Sequence, residues 1–486
     1  MPRRLIALPI FSSALYILTF PNFNQTYMAY FALVPLAIAV QHATPRRAFW
    51  LGWLAGTVAY VGILDWIIAT FTAAHLSILL AGMCLLLLAA YLGLYWGVWA
   101  WFISLKRGVI AGAAAWVALE YLRTYLLSGF PWALLADSQV SDLPRIQMAC
   151  ITGVYGVSFV LVLANLALAT RNKRTIITTF VAIMALYSGG IWRLRHYPPP
   201  PSAHPIKVAL LQGNIDQYKK WDKAYVDDIE RTYDALVARA SRSKPVLMVW
   251  PETSVPGYLL QEKPLRDWLT KIVRRSHTNH LIGSPIMISE KAYNSSFSIN
   301  PEGVLEGEYD KRHLVPFGEV VPFPTFLGRF RFISILNDLG GFTAGERSPV
   351  ISAAGVPVAI NICYEAIFPD LVRQSVLQGA TVIANLTNDG WYMKTSAPYQ
   401  HWAPNVFRAV ENHRWLVRAD NTGISGIIDP LGHVVQSSGI FERAIVEGNV
   451  TPLTENTFYT RFGDLFAWGC ILFCVASFLL YILGIQ

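Results

Sequence analysis

Charge is scarce in this chain. Asp, Glu, Lys and Arg supply 14% of its 486 residues, where a soluble domain carries roughly 25%. That deficit argues against a typical soluble domain. Cysteine is scarce too: of five, Cys84, Cys150, Cys470 and Cys474 lie in or beside apolar runs, and Cys363 stands alone in the polar segment. No disulfide framework can form there. The ten histidines fall in no H-x-x-x-H pattern and no CxxC occurs, so no metal-ligand spacing is visible. Internal repeats are lacking, as is low complexity beyond one proline run.

What is abundant is apolar. Hydrophobic residues reach 54%, with 16 Trp and 22 Tyr, and the mean hydropathy is +0.39. Such a balance fits a membrane protein with interfacial aromatic anchors. The net charge of +8 does not point to nucleic acid, because the positive residues cluster in short loops between apolar runs. Those runs predict about eight spans, near Leu5–Phe20, Tyr27–Val40, Phe49–Thr70, Leu76–Ile103, Val109–Leu127, Ile151–Thr170, Thr175–Trp192 and Leu465–Leu483. A helix needs roughly 20 apolar residues to cross the hydrocarbon, and the first two runs are short.

Loop charge sets the orientation. Arg3 and Arg4, Arg46 and Arg47, Lys106 and Arg107, and Arg171, Lys173 and Arg174 mark alternate loops; Arg145 is the exception. The alternation predicts cytoplasmic termini and an extracytoplasmic segment between the seventh and eighth spans. No small-x-small site follows the first run, so it is expected to remain as an anchor. Of the charges in or near spans, Asp65, Glu120 and Arg123, the last two are three residues apart and are expected to pair.

The predicted organisation is therefore a bundle over 1–195, a proline-rich linker over 196–205, an extracytoplasmic domain over 206–455 and a last span over 456–486. In the extracytoplasmic domain, buried strands are predicted at "IKVALLQ" (206–212), "VLMVWPE" (246–252), "LIGSPIMI" (281–288), "VPVAINIC" (356–363) and "ATVIANLTN" (380–388). Helices are predicted over Asp222–Arg242, Pro264–Ser276 and Asp370–Gln378. Alternating strands and helices argue for an α/β domain.

Cys363 ends one such strand and precedes a turn into a helix. A helix N-terminus lowers a thiol's pKa, so this position suits a nucleophile, although an inert core cysteine fits the spacing equally. "WPETSVP" (250–256) places Glu252 at another strand end, and "YDKRHLVPFGEVVPF" (309–323) places Lys311 and Glu319 in a Pro/Gly-rich loop. Sites in open α/β sheets collect at the carboxyl ends of strands. A carboxylate there can take the thiol proton and an ammonium can hold the oxyanion.

These three stretches, in this order, resemble the Glu-Lys-Cys signature of the nitrilase superfamily, which implies a four-layer α-β-β-α sandwich. The further motifs "QGNIDQYKKWD" (212–222), "ICYEAIFPD", "NLTNDGWY" (385–392) and "RAVENHRWLVRADNTGISGIIDPLG" (408–432), with the span layout, resemble its membrane branch, the apolipoprotein N-acyltransferases. Gly390 and Tyr392 depart from the Ala and Phe of that branch, which bears on pocket shape alone. The resemblance implies Glu252 as general base, Lys311 as oxyanion stabiliser, Cys363 as nucleophile and Glu319 as a carboxylate orienting Lys311. It implies substrate contacts at Trp221, Tyr364 and Glu365, each of which also has a packing or capping reading.

By the same resemblance, the reaction is a ping-pong acyl transfer in the bacterial inner membrane. The donor is a membrane phospholipid, cleaved at sn-1, and the acceptor is the amine of a diacylated apolipoprotein. The catalytic domain faces the periplasm. No metal, organic cofactor or nucleic acid is implied, and nothing demands more than a monomer. An amidase that clears the thioester with water would share the triad; a transporter or binding scaffold would not need it. Pro322–Gly345, rich in Phe, Leu and Ile, is either a loop that admits acyl chains or a packed arm.

Overall fold

The computed structural model describes residues 4–197, 204–220, 222–321 and 341–484. Trp221, most of the proline-rich linker and 322–340 of the apolar Pro322–Gly345 segment lie outside the described residues. Two compact units result: residues 1–198 with 395–407 and 457–486, and residues 199–394 with 408–456.

The first unit is helical. Ile78–Ser104, Lys173–His196 and Leu465–Ile482 are long and apolar enough to cross a membrane. Two bent pairs raise the count among the described residues to five if each is one span: Pro45–Ile63 with Trp66–Ala73, bent by 53°, and Leu143–Thr152 with Val154–Thr170, bent by 120°. The other expected spans are helical but short, with 15 residues in Arg4–Leu18, 7 in Val34–Val40 and 17 in Val109–Tyr125. At 1.5 Å per residue none of these three alone covers the roughly 30 Å of hydrocarbon.

Small residues set the packing here. A Cβ on Gly52 would stand 2.5 Å from the Trp96 carbonyl, and one on Gly93 would stand 2.8 Å from the Trp53 carbonyl. Close backbone approach of this kind is how helices associate where apolar burial gives no preference over lipid. The expected Glu120–Arg123 ion pair does not form. Glu120 Oε1 accepts the Leu135 amide at 2.9 Å, and Arg123 donates to the Tyr60 hydroxyl. Partners on other segments hold each side chain apart from the other.

The second unit contains two six-stranded sheets. One has the order β12-β1-β2-β3-β4-β5 and the other β11-β10-β9-β8-β7-β6. The strands are β1 Ile206–Gln212, β2 Leu247–Val249, β3 Asn279–Ile288, β4 Lys291–Ile299, β5 Leu305–Asp310, β6 Val350–Ala353, β7 Val356–Ile362, β8 Val382–Thr387, β9 Trp415–Asp420, β10 Gly426–Ile428, β11 Val434–Ser437 and β12 Ala444–Val450. β1, β2 and β3 pair in parallel, as do β7, β8 and β9; the flanking pairs are antiparallel.

Central strands must be apolar on both faces, and the alternation shows why. Val208 and Leu210 of β1 enter one core with Val358 and Ile360 of β7 and with Val382, Ala384 and Leu386 of β8. Ala209 and Leu211, on the opposite face, enter a second core with Ile229, Tyr233 and Leu236 of the Val226–Ala240 helix and Leu269 of the Lys263–Ser276 helix. The Pro369–Leu377 helix packs on β7 of the other sheet. Helices thus flank a pair of sheets, the layering expected from the sequence. β2, β5 and β7 all run so that their carboxyl ends carry the candidate site residues.

His280 on β3 is fully buried: Nδ1 accepts the Trp250 indole N–H at 2.9 Å, and Nε2 lies 2.8 Å from Ser276 Oγ. Burial pushes its pKa down to about 3, while the unfolded ring titrates near 6.5. Between these values the unfolded chain binds a proton that the folded chain refuses, so this contribution is complete above about 6.5 and falls with acidification. Denaturant titrations followed by tryptophan fluorescence are expected to show stability declining below that pH, with a shallower slope in His280→Asn.

Candidate active site

The site begins where β2 ends. Glu252 follows the strand in a tight turn whose next residue, Thr253, has φ +44. The backbone of β3 backs this turn so closely that a Cβ on Gly283 would stand 2.7 Å from Glu252 Cα. Glu252 is buried, and its Oε1 accepts from Asn294 Nδ2 at 2.7 Å and from Lys311 Nζ at 3.3 Å.

Lys311 follows β5 directly and is 1% exposed. Its amide donates to the Asn294 carbonyl at 2.8 Å, locking it to β4. Nζ lies 2.8 Å from Glu319 Oε1, closer than its contact with Glu252. Burial works against the charge, but Glu319 and then Glu252 outweigh it and hold the pKa well above the usual lysine value. Glu319 Oε2 accepts the Val315 amide at 2.8 Å, and Asn294 Nδ2 also reaches Glu319 Oε1 at 3.1 Å. The structure therefore brings Glu252, Lys311 and Glu319 together around one ammonium.

Cys363 follows β7 with φ +53. A non-glycine residue in that region costs about 1–3 kcal/mol unless its surroundings fix it. Glu365 does the fixing. Its Oε2 accepts the Ile362 amide at 2.7 Å, and its Oε1 accepts the Tyr309 hydroxyl at 2.7 Å and the amides of Arg312 and His313 at 2.7 and 3.1 Å. One fully buried carboxylate thus ties the cysteine's turn to the segment carrying Lys311. Asn385 Nδ2 donates to the Cys363 carbonyl at 3.3 Å.

The expected lowering of the thiol pKa by a helix N-terminus is not what this environment produces. Cys363 opens a five-residue 3-10 turn. Burial, and then the Glu252 carboxylate, push its thiol well above the ordinary value, with Lys311 opposing them. A resting thiol in this setting is neutral and needs a base. Tyr364 is buried, edge-on to Phe368 with centroids 5.2 Å apart.

Three groups escaped the sequence reading. Asn294 donates to both carboxylates. Arg418 is buried with Nη2 2.7 Å from Asp389 Oδ2 and 3.0 Å from Asp420 Oδ2, and a carboxylate oxygen of Asp389 lies within 4.8 Å of Cys363 Sγ. Lys220 donates from Nζ to the Glu252 carbonyl at 2.9 Å and to Thr253 Oγ1 at 2.7 Å. Lys220 and Arg418 fall inside motifs already singled out. Asn294 had one faint signal, a polar residue in a strand buried along its second half.

The class follows from comparison with known proteins. Residues 207–456 match the carbon-nitrogen hydrolase family, so the second unit is a carbon-nitrogen hydrolase domain. Residues 12–167 match the apolipoprotein N-acyltransferase N-terminal domain. Apolipoprotein N-acyltransferase of Geobacter metallireducens is 38% identical, covering 97% of this chain and 94% of the relative. Those of Pseudomonas putida and Azotobacter vinelandii are 31% and 32% identical, covering 97% and 95% of this chain. The chain belongs to the apolipoprotein N-acyltransferase family of acyltransferases.

Asn294→Leu removes the donor that spans the two carboxylates and leaves them facing each other across Lys311 alone. Loss of one such preorganised donor is expected to lower the acyl-transfer rate about 100-fold, measured with a fluorescent diacylated lipopeptide, while the far-ultraviolet dichroism stays that of the unaltered chain.

Proposed function

We propose that this chain moves an acyl chain from the sn-1 position of a membrane phospholipid to the α-amine of the S-diacylglyceryl cysteine of an apolipoprotein. The observation that carries the reading is the buried Glu252–Lys311–Glu319 cluster at the strand ends, with Cys363 on a left-handed turn tied to the same loop. The names of the relatives support the acceptor, and the N-terminal match supports the membrane setting.

The chemistry runs in two halves. Glu252 takes the thiol proton, and Cys363 Sγ adds to the ester carbonyl carbon. Lys311 donates to the resulting oxyanion while Glu319 holds it in place. The carbon–oxygen bond breaks, the lysophospholipid alkoxide recovers the proton from Glu252, and a thioester remains. The acceptor amine then adds to the thioester carbon and gives a proton to Glu252. The carbon–sulfur bond breaks, and that proton returns to the sulfur. Only proton transfer and carbonyl addition–elimination are involved, and one chain carries every group in the scheme, so a monomer suffices.

The same reading places the second unit on the periplasmic face of a bacterial inner membrane, with about eight crossings and both termini in the cytoplasm. Alternation of the Arg and Lys loops supports it. A membrane-impermeant maleimide is expected to label Ser141→Cys and spare Lys106→Cys in cells with a permeabilised outer membrane; the reverse pattern would invert the topology.

Intact-protein mass spectrometry after incubation with a defined phospholipid tests the chemistry. The unaltered chain is expected to gain one acyl mass, Cys363→Ala none, and a diacylated lipopeptide to discharge the adduct. Discharge by water at the same rate without lipopeptide would make the chain an amidase-like hydrolase instead.

A further inference from the structure

Among the buried groups that the scheme above leaves without a role is a lysine bonded to the Glu252 turn. Lys220 follows β1 and is 2% exposed. Its two acceptors are the carbonyl of Glu252 and the hydroxyl of Thr253, and among the described residues no carboxylate forms an ion pair with it. Burying an ammonium without a direct counter-ion is costly, so its position calls for a reason.

The geometry of the Glu252 turn supplies one. Thr253 is β-branched and lies at φ +44, a conformation such residues rarely adopt. Gly283 lets β3 press against the turn; a Cβ there would sit 2.4 Å from the Pro251 carbonyl and 2.8 Å from the Thr253 amide. Lys220 holds two further polar groups of the same turn. The turn is held by both a backbone and an amine, and the carboxylate that reaches Lys311 projects from it.

We infer that Lys220 is a positioning residue for the acyl transfer: its two hydrogen bonds fix the Glu252–Thr253 turn, and so aim the Glu252 carboxylate at the thiol of Cys363. This rests on the reading of Glu252 as the base for Cys363. The groups facing Lys220 are Glu252 after β2, Asp420 on β9 and Cys363 after β7. Burial brings its pKa down to about 7 against the pull of these three. Charged or neutral, its nitrogen keeps enough N–H groups for both acceptors, so the clamp persists across that range.

The test is the rate at which iodoacetamide alkylates Cys363 in the full-length, detergent-solubilised chain, which needs no lipid substrate. Lys220→Met is expected to slow alkylation about 100-fold, the scale of a small misplacement of a reacting group, with an unchanged melting temperature. Lys220→Gln keeps N–H donors and drops the charge, and is expected to stay within about tenfold of the unaltered chain, one decade being about 1.4 kcal/mol. Equal slowing by Met and Gln would mean that charge, not placement, is what Lys220 supplies, and would overturn the inference; unchanged rates in both would overturn it as well. If Lys220→Met does not fold, Thr253→Val decides. It removes one acceptor, and a rate equal to that of the unaltered chain would sink the clamp. A Glu252→Gln chain that alkylates normally would remove the base on which the inference rests. Normal alkylation with no acyl adduct from phospholipid would overturn the acyl-transfer reading while leaving the clamp supported.

Discussion

The candidate site depends on one buried ammonium. Removing Lys311 from water costs several kcal/mol, and it is tolerated because Glu319 at 2.8 Å and Glu252 at 3.3 Å share its charge. The arrangement is also self-limiting. Two carboxylates without the lysine would repel, and the lysine with only one would lose its contact with either Glu319 or Glu252. Asn294 keeps the carboxylates at fixed separation by donating to both. The cluster behaves as one object assembled from the ends of β2 and β5 and the loop that follows β5.

Sheet topology makes that assembly possible. Parallel triplets at the centre of each sheet set the carboxyl ends of neighbouring strands side by side, where residues distant in sequence can meet. The inter-sheet core is apolar from both directions, which leaves the strand ends as the sites where buried polar groups can be satisfied. Glu365 is the clearest case. A single carboxylate accepts four protein donors and joins the turn of the thiol to the segment of the ammonium. Side chains so fully engaged orient others more readily than they grip a substrate.

Much of this was legible in the sequence. Strands buried on both faces write themselves as continuous apolar runs, and β1, β3, β7 and β8 fall within a few residues of where such runs predict them. Short or exposed strands such as β5 (LEGEYD) and β11 (VVQS) have no comparable signature, because their polarity is that of a loop. Spans were harder to count: periodicity locates an apolar helix but does not reveal a 53° or 120° break. At the site, Glu252, Lys311, Glu319 and Cys363 stood out by motif. Lys220 and Asn294 meet Glu252 from 32 and 42 residues away, and no local pattern encodes such a meeting. Local context also misjudged the thiol. A strand-to-helix junction suggests an acidic cysteine, whereas burial and a neighbouring carboxylate decide the opposite.

That last feature bears on durability. The thiolate, not the thiol, enters the oxidation ladder through sulfenic acid. A cysteine kept protonated and buried, 6% exposed, offers little to peroxide between turnovers and has no second thiol in its unit with which to form a disulfide. In the proposed scheme its reactivity is borrowed from Glu252 at the moment of use. On the proposed reading, a nucleophile built this way can persist in an oxidising compartment where a permanently ionised one would be consumed.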